Sequence, residues 1–164
     1  MPERLVDIPI ESLPFVDEHF LDIAATTEEV WDALLVTMAG FARGSSRPVS
    51  RMLGCAQTEA TGDVGTIGST IPGFVVTRSV RPVVLALMGQ HRFSRYALIR
   101  RIVEKPSGLV LLSAQTRAEF PGAKGKAYRG LVITTRGHVL VTRSIMRSVR
   151  RRAERMSWQG TGDA

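Results

Sequence analysis

Apolar and polar positions alternate in twos along the middle of the chain and recur at helical spacing on either side of it. Asp17 to Ala24 alternates as a strand, with His19, Leu21 and Ile23 on one face. Thr26 precedes Glu29 by three residues, the spacing of a capping box in which each side chain serves the other's free backbone N–H. The helix it opens places Val30, Trp31, Leu34, Met38 and Phe41 on one side and is expected to stop near Gly40. Trp31 at that spacing reads as core. A polar break from Arg43 to Arg47 leads to a short second helix starting at Pro48.

From Cys55 to Phe120 the punctuation becomes that of an antiparallel sheet, with breaks at Thr61-Gly62-Asp63, Pro72-Gly73, Arg81-Pro82 and Pro106-Ser107-Gly108. It predicts strands over 55–60, 65–71, 74–80, 83–91, 95–104 and 109–119. Val83, Leu85, Leu87, Gly89, His91 and Phe93 share one face, and Val110, Leu112, Ala114, Thr116 and Ala118 share another. The strand at 95–104 has two equally apolar sides, Tyr96/Leu98/Ile102 and Ala97/Ile99/Val103.

The closing segment, 127–156, resolves on a helical wheel. Arg129, Arg136, Arg143 and Arg150 recur every seven residues, with Arg147, Arg151 and Arg155 beside them. Roughly opposite lie Leu131, Val132, Val139, Ile145, Met146, Val149, Ala153 and Met156. Ile133 and Leu140 fall among the arginines: exposed, sheltered by the N-terminal segment, or part of a dimer contact. Gly130, Gly137 and the run Val132 to Thr135 oppose helix locally, which predicts a kink near Gly137 and leaves a strand at 127–134 as the competing reading. A 30-residue helix is about 45 Å long. A domain of this length has a radius of gyration of about 15 Å, so such a helix would cross the whole body with its apolar stripe on the sheet.

Charge changes the picture. Lys and Arg number 22, Asp and Glu 15, for a formal +7. Residues 1–32 carry nine acids against Arg4 alone, and the rest of the chain is correspondingly basic. The plainest explanation is that the acidic first segment packs beside the basic last one, the remaining arginines being solvated. No aromatic residues interleave with the arginines as single-strand binders require, so nucleic acid is not the expected partner. The apolar runs are too short to span a bilayer. The start Met1-Pro2-Glu3-Arg4 lacks the pattern of a secretory signal. The single Cys55 rules out an internal disulfide and fits a reducing, cytoplasmic compartment.

Three stretches carry a family resemblance. Phe20 to Leu34 (FLDIAATTEEVWDAL) resembles the opening strand and first helix of the START-like helix-grip superfamily (SRPBCC), which includes polyketide cyclase/dehydrase-like proteins. Gly62 to Gly68 (GDVGTIG) resembles its Gly-rich hairpin, and Gly125 to Val132, continuing to Arg152, resembles its closing helix. The resemblance covers about residues 17–156. It implies an α+β helix-grip fold in the order β-α-α-β6-α: a seven-stranded curved antiparallel sheet wrapped around the long C-terminal helix. It also implies a cavity between them for a hydrophobic or amphipathic small molecule. An extended lead-in over 1–16 and a flexible tail over 157–164 would flank that single domain.

The chemistry is sparse. Gly62-x-x-Gly65-x-x-Gly68 is not a dinucleotide fingerprint, Gly125-Lys126 is not a P-loop, and no Ser sits in a nucleophile elbow. His19, His91 and His138 are too dispersed to suggest a metal, and nothing calls for a cofactor. What remains is polar residues on apolar faces: Tyr128, Thr135, His138 and Thr142 on the last helix, His91 on its strand, and Tyr96 on a strand of unassigned face. A ligand-orienting cavity needs a few such groups, although each could instead satisfy a nearby carbonyl.

Three functions follow. The first is binding, as a carrier or sensor, of a hydrophobic or amphipathic small molecule by Tyr128, Thr135, His138, Thr142, His91 and Tyr96. The second is a polyketide aromatase/cyclase-type enzyme, with His138 or His91 as general base and Tyr128 as proton donor or carbonyl anchor. The third is an anionic surface binder, at a membrane periphery or on RNA, through Arg136, Arg143, Arg147, Arg150 and Arg151. The chain would act as a monomer or homodimer.

Overall fold

A computed structural model describes residues 5–43, 51, 54–55, 57–91, 94–122 and 137–160. The elements run β1 (Phe15–Ile23), α1 (Thr27–Arg43), β2 (Thr70–Ile71), β3 (Phe74–Val80), β4 (Val84–His91), β5 (Ser94–Glu104), β6 (Val110–Glu119) and α2 (Gly137–Gly160). All six strands form one antiparallel sheet in the order β1-β6-β5-β4-β3-β2. β1 therefore pairs with the last strand in the chain and forms one edge of the sheet, with β2 at the other.

The capping box forms as its spacing predicts. The Thr26 amide donates to Glu29 Oε2 at 2.7 Å, and the Glu29 amide donates to Thr26 Oγ1 at 3.2 Å. Reciprocal caps of this kind stabilise a helix start by about 1 kcal/mol. The helix continues through Gly40 to Arg43 rather than stopping at Gly40. Val30, Trp31, Leu34 and Met38 are buried, but Phe41, expected with them, is exposed.

The sheet has six strands among the described residues, not seven. The stretch 55–60 makes no ladder. It touches the sheet through the Gln57 carbonyl, which accepts from the Gly73 amide at 2.7 Å, and the Glu59 carbonyl, which accepts from Thr70 Oγ1 at 2.8 Å; Thr61 then forms an isolated bridge to Thr70. The strand expected over 65–71 shrinks to Thr70–Ile71. Part of 63–69 turns on itself instead, Thr66 donating to the Asp63 carbonyl at 2.9 Å and Ser69 to the Thr66 carbonyl at 3.2 Å, while the Gly68 amide still reaches β3 at the Val76 carbonyl over 2.8 Å. The helix expected from Pro48 and the strand alternative at 127–134 lie outside the described residues.

One face of the sheet, here the inner face, packs on the helices. Ile23, Val76, Leu85, Leu87, Ile102, Val110, Leu112 and Ala114 join Trp31, Leu34 and Met38 of α1 and Met146, Val149 and Ala153 of α2 in one core. Burying each of the larger side chains contributes about 1.5–3 kcal/mol. The α2 stripe Val139, Thr142, Ile145, Met146, Val149, Ala153 and Met156 faces inward, as the wheel predicts, while Leu140 is exposed among the arginines.

The outer face is covered as well, by the segment expected to be an extended lead-in. Residues 5–7 and 10–12 form two 3-10 turns. They set Leu5, Ile8, Ile10 and Leu13 on Val75, Val84, Ala86, Met88, Ala97 and Ile99. Arg117 pins this cover, donating to the Leu13 carbonyl at 2.8 Å and the Glu11 carbonyl at 3.3 Å, and the Ala118 amide donates to the Pro14 carbonyl at 2.9 Å. Both sides of β5 are thus interior, which is why its sequence shows no polar face. The acidic first segment packs on α2 through β1 and α1, and beside β1 the Ala24 amide donates to Glu154 Oε1 at 3.4 Å. Its described ion pairs run to sheet turns, Glu28 and Asp32 with Arg81, and Asp22 with Lys105.

Candidate functional site

Alternation along each strand fixes which polar residues share the inner face. On β1, Leu21 and Ile23 belong to the helix-side core, so His19 and Asp17, two and four residues back from Leu21, share their side. On β5, Ile102 lies inward, and with it Arg100, Leu98 and Tyr96. On β6, Leu112 and Ala114 lie inward, and with them Thr116. The ladders align Arg100 with Ala114 and Ala114 with His19, then Leu98 with Thr116 and Thr116 with Asp17. Two adjacent rows thus carry Arg100, His19, Thr116 and Asp17, with the small Ala114 among them.

Arg100 is 1% exposed. Its Nη1 donates to the Ile99 carbonyl over a long 3.4 Å, and its Nε has no hydrogen-bond partner. Burial pulls the guanidinium down to about 10, against the opposing influence of the Asp17 carboxylate, so it is still a cation at neutral pH. His19 Nε2 lies 3.3 Å from Asp17 Oδ2 without forming a hydrogen bond, and Thr116 Oγ1 is buried with no partner. Buried polar atoms in folded proteins are paired with few exceptions. Arg100 Nε, His19 Nε2 and Thr116 Oγ1, on three adjacent strands, are such exceptions.

A second group closes the β3–β4 end of the same face. The Tyr96 hydroxyl donates to the Gly73 carbonyl at 2.9 Å and lies 3.7 Å from Cys55 Sγ. Its ring packs edge-on to Phe74 at 5.2 Å and lies 5.4 Å from His91. The ring sits over Gly89, where a Cβ would collide with both the Gly73 carbonyl and Tyr96. His91 is buried, and loss of solvent holds its pKa below the ordinary value.

The residues named from sequence are thereby placed. His91 and Tyr96 are neighbours on the inner face, and Thr142 is buried on the inward stripe of α2. Tyr128, Thr135 and Arg136 lie outside the described residues. His138 falls in the first turn of α2, and its side chain also lies outside them. Arg143, Arg147, Arg150 and Arg151 are exposed, with Arg150 paired to Glu154 at 2.9 Å and Arg151 donating to Ser148 Oγ at 3.1 Å. Arg100, Asp17 and Thr116 escaped the sequence reading. The signal was an arginine in phase with Tyr96, Leu98 and Ile102 on a strand whose inner side was left open. No cluster of metal-ligating side chains occurs among the described residues.

Solved structures supply the comparison. Truncated norcoclaurine synthase from Thalictrum flavum superposes with a TM-score of 0.51 at 15% identity, covering 82% of this chain and 94% of its own. A conserved protein from Geobacillus kaustophilus gives 0.49 at 16%, covering 82% and 91%. An HSP90 activator from Plasmodium falciparum gives 0.42 at 11%, covering 70% and 84%. The fold is of the helix-grip type. Identity this low carries the α+β architecture, a six-stranded antiparallel sheet with a C-terminal helix, and nothing finer. No protein-family model matches the sequence, and no curated protein matches it significantly. No helix among the described residues is long and apolar enough to cross a membrane.

Proposed function

We propose that the chain binds an amphipathic small molecule against the inner face of the sheet, with its polar end at Arg100, His19 and Thr116 and its apolar body along the aliphatic rows. The observation that carries this reading is the convergence of three buried polar atoms without partners on one apolar face. A fold with structural purposes alone would have no need of them, since replacing buried polar groups by apolar ones of similar shape is close to neutral. The helix-grip likeness is compatible, because the fold houses its contents between this face and the C-terminal helix. Ligand recognition of this form, a few polar groups in apolar walls, is what small-molecule sites generally show.

Native mass spectrometry of the full chain against a panel of medium-chain and bicyclic aromatic amphiphiles tests it. The expected result is a one-to-one complex that Ala114→Leu weakens, because the added carbons would stand between Arg100 and His19 in the ladder. No retained species with any member of the panel would overturn the reading.

A further inference from the structure

Arg100 is a cation buried in the inner face of the sheet. The inference rests on the binding reading above and extends it to chemical class. A guanidinium offers five N–H donors and stays protonated at neutral pH. Leaving such a cation in an apolar interior is strongly unfavourable unless charge and hydrogen bonds compensate it. The protein compensates it only in part. The one described hydrogen bond from Arg100 is the 3.4 Å contact to its own strand, and Nε is left over. Asp17 acts on it through space, but that carboxylate also lies 3.3 Å from His19 Nε2.

We propose that the chain takes an amphipathic carboxylic acid as its carboxylate, with Arg100 Nε–H donating to one oxygen and the Thr116 hydroxyl donating to the carboxylate from the neighbouring strand. Charge-assisted hydrogen bonds of this type are among the strongest available to a buried arginine. A monoanion fits better than a dianion. The site offers one arginine cation with the Asp17 carboxylate nearby, and a second negative charge on the ligand would face that carboxylate. Ala114, lying between Arg100 and His19 in the ladder, leaves the guanidinium without a bulky neighbour on β6.

The test is calorimetric titration of the full chain near neutral pH with decanoate, 1-decanol and octyl phosphate. Decanoate is expected to bind on the order of tenfold or more tighter than decanol, the usual strength of a hydrogen bond to a charged group. In Arg100→Met that preference should vanish while decanol still binds. Equal affinities for decanoate and decanol in the unaltered protein, or a preference that survives in Arg100→Met, would overturn the proposal. Octyl phosphate binding as tightly as decanoate would overturn the carboxylate assignment. Failure of all three ligands would instead remove the broader binding reading. Should Arg100→Met not fold, the Arg100 Nε–H resonance of the unaltered protein gives the same answer. It should shift on adding decanoate and stay in place with decanol; no shift with decanoate would contradict the proposal.

Discussion

Arg100 stands opposite Ala114 in the β5–β6 ladder, a fully buried cation facing one of the smallest side chains on the sheet. Beyond Ala114 lies His19 on β1. Close packing would favour a large apolar partner there, and the arrangement makes sense if something else completes it.

If Arg100 is held for a ligand rather than for the fold, the empty protein should not depend on it. Arg100→Met is expected to leave stability unchanged or raise it, because an apolar residue of similar length removes a desolvation cost. Asp17→Asn should cost on the order of 1–3 kcal/mol in the unaltered background by withdrawing compensating charge, and much less in Arg100→Met. Urea unfolding of the four proteins of this cycle measures the coupling. A large loss in Arg100→Met alone would assign the arginine to the fold.

The N-terminal cover should behave as core rather than as a tail. Leu13 is buried against the outer face, so Leu13→Ala is expected to cost about 2–5 kcal/mol, the range for a core leucine. Ligand affinity, measured in the same samples after correction for the folded fraction, should not change, because the sheet separates the two faces. Equilibrium denaturation with and without ligand checks both.

The capping box, the α1 stripe through Met38 and the inward positions of β6 were legible, because each rests on spacing within one element. The outer cover was not. Val84, Ala86 and Met88 alternate with Leu85 and Leu87 without a polar phase, and a strand apolar on both sides needs a second layer that periodicity alone cannot supply. The same two-sidedness hid Arg100, since neither face of 95–104 could be chosen as inner. Strand 55–60 was over-read, because its residues suit a strand while the glycines after it turn the chain away. Alternation places His91 on the inner face and leaves the face of Tyr96 open; that the two are neighbours, with the Tyr96 hydroxyl tied to Gly73, depends on contacts distant in sequence.

Stability should fall in mild acid through His91. Burial holds its folded-state pKa below the ordinary 6.5, with Tyr96 as its described ring neighbour. The unfolded chain therefore takes up a proton first. The His91 contribution is complete above about pH 6.5 and declines as pH falls through the lowered folded value. Thermal melts from pH 7.5 downward should show a decline that His91→Gln removes; an identical pH dependence in both proteins would contradict it.

Gly89 has no room for a side chain. Gly89→Ala would drive a methyl into the Gly73 carbonyl and the Tyr96 ring, and is expected to destabilise by about 1–3 kcal/mol, as overpacking of a filled site does. Tyr96→Phe in the same background should recover little, because the collisions are with the Gly73 carbonyl and the ring rather than the hydroxyl. Chemical denaturation of both variants reads this directly.

The account turns on whether the inner face holds a guest, and a crystal structure of the full chain grown with decanoate addresses that most directly. The account predicts density for the carboxylate within hydrogen-bond distance of Arg100 Nε and Thr116 Oγ1, with the alkyl chain running along the inner face under α2. An interior filled by the protein's own side chains, with Arg100 paired to a protein carboxylate and decanoate absent or bound elsewhere, would contradict it.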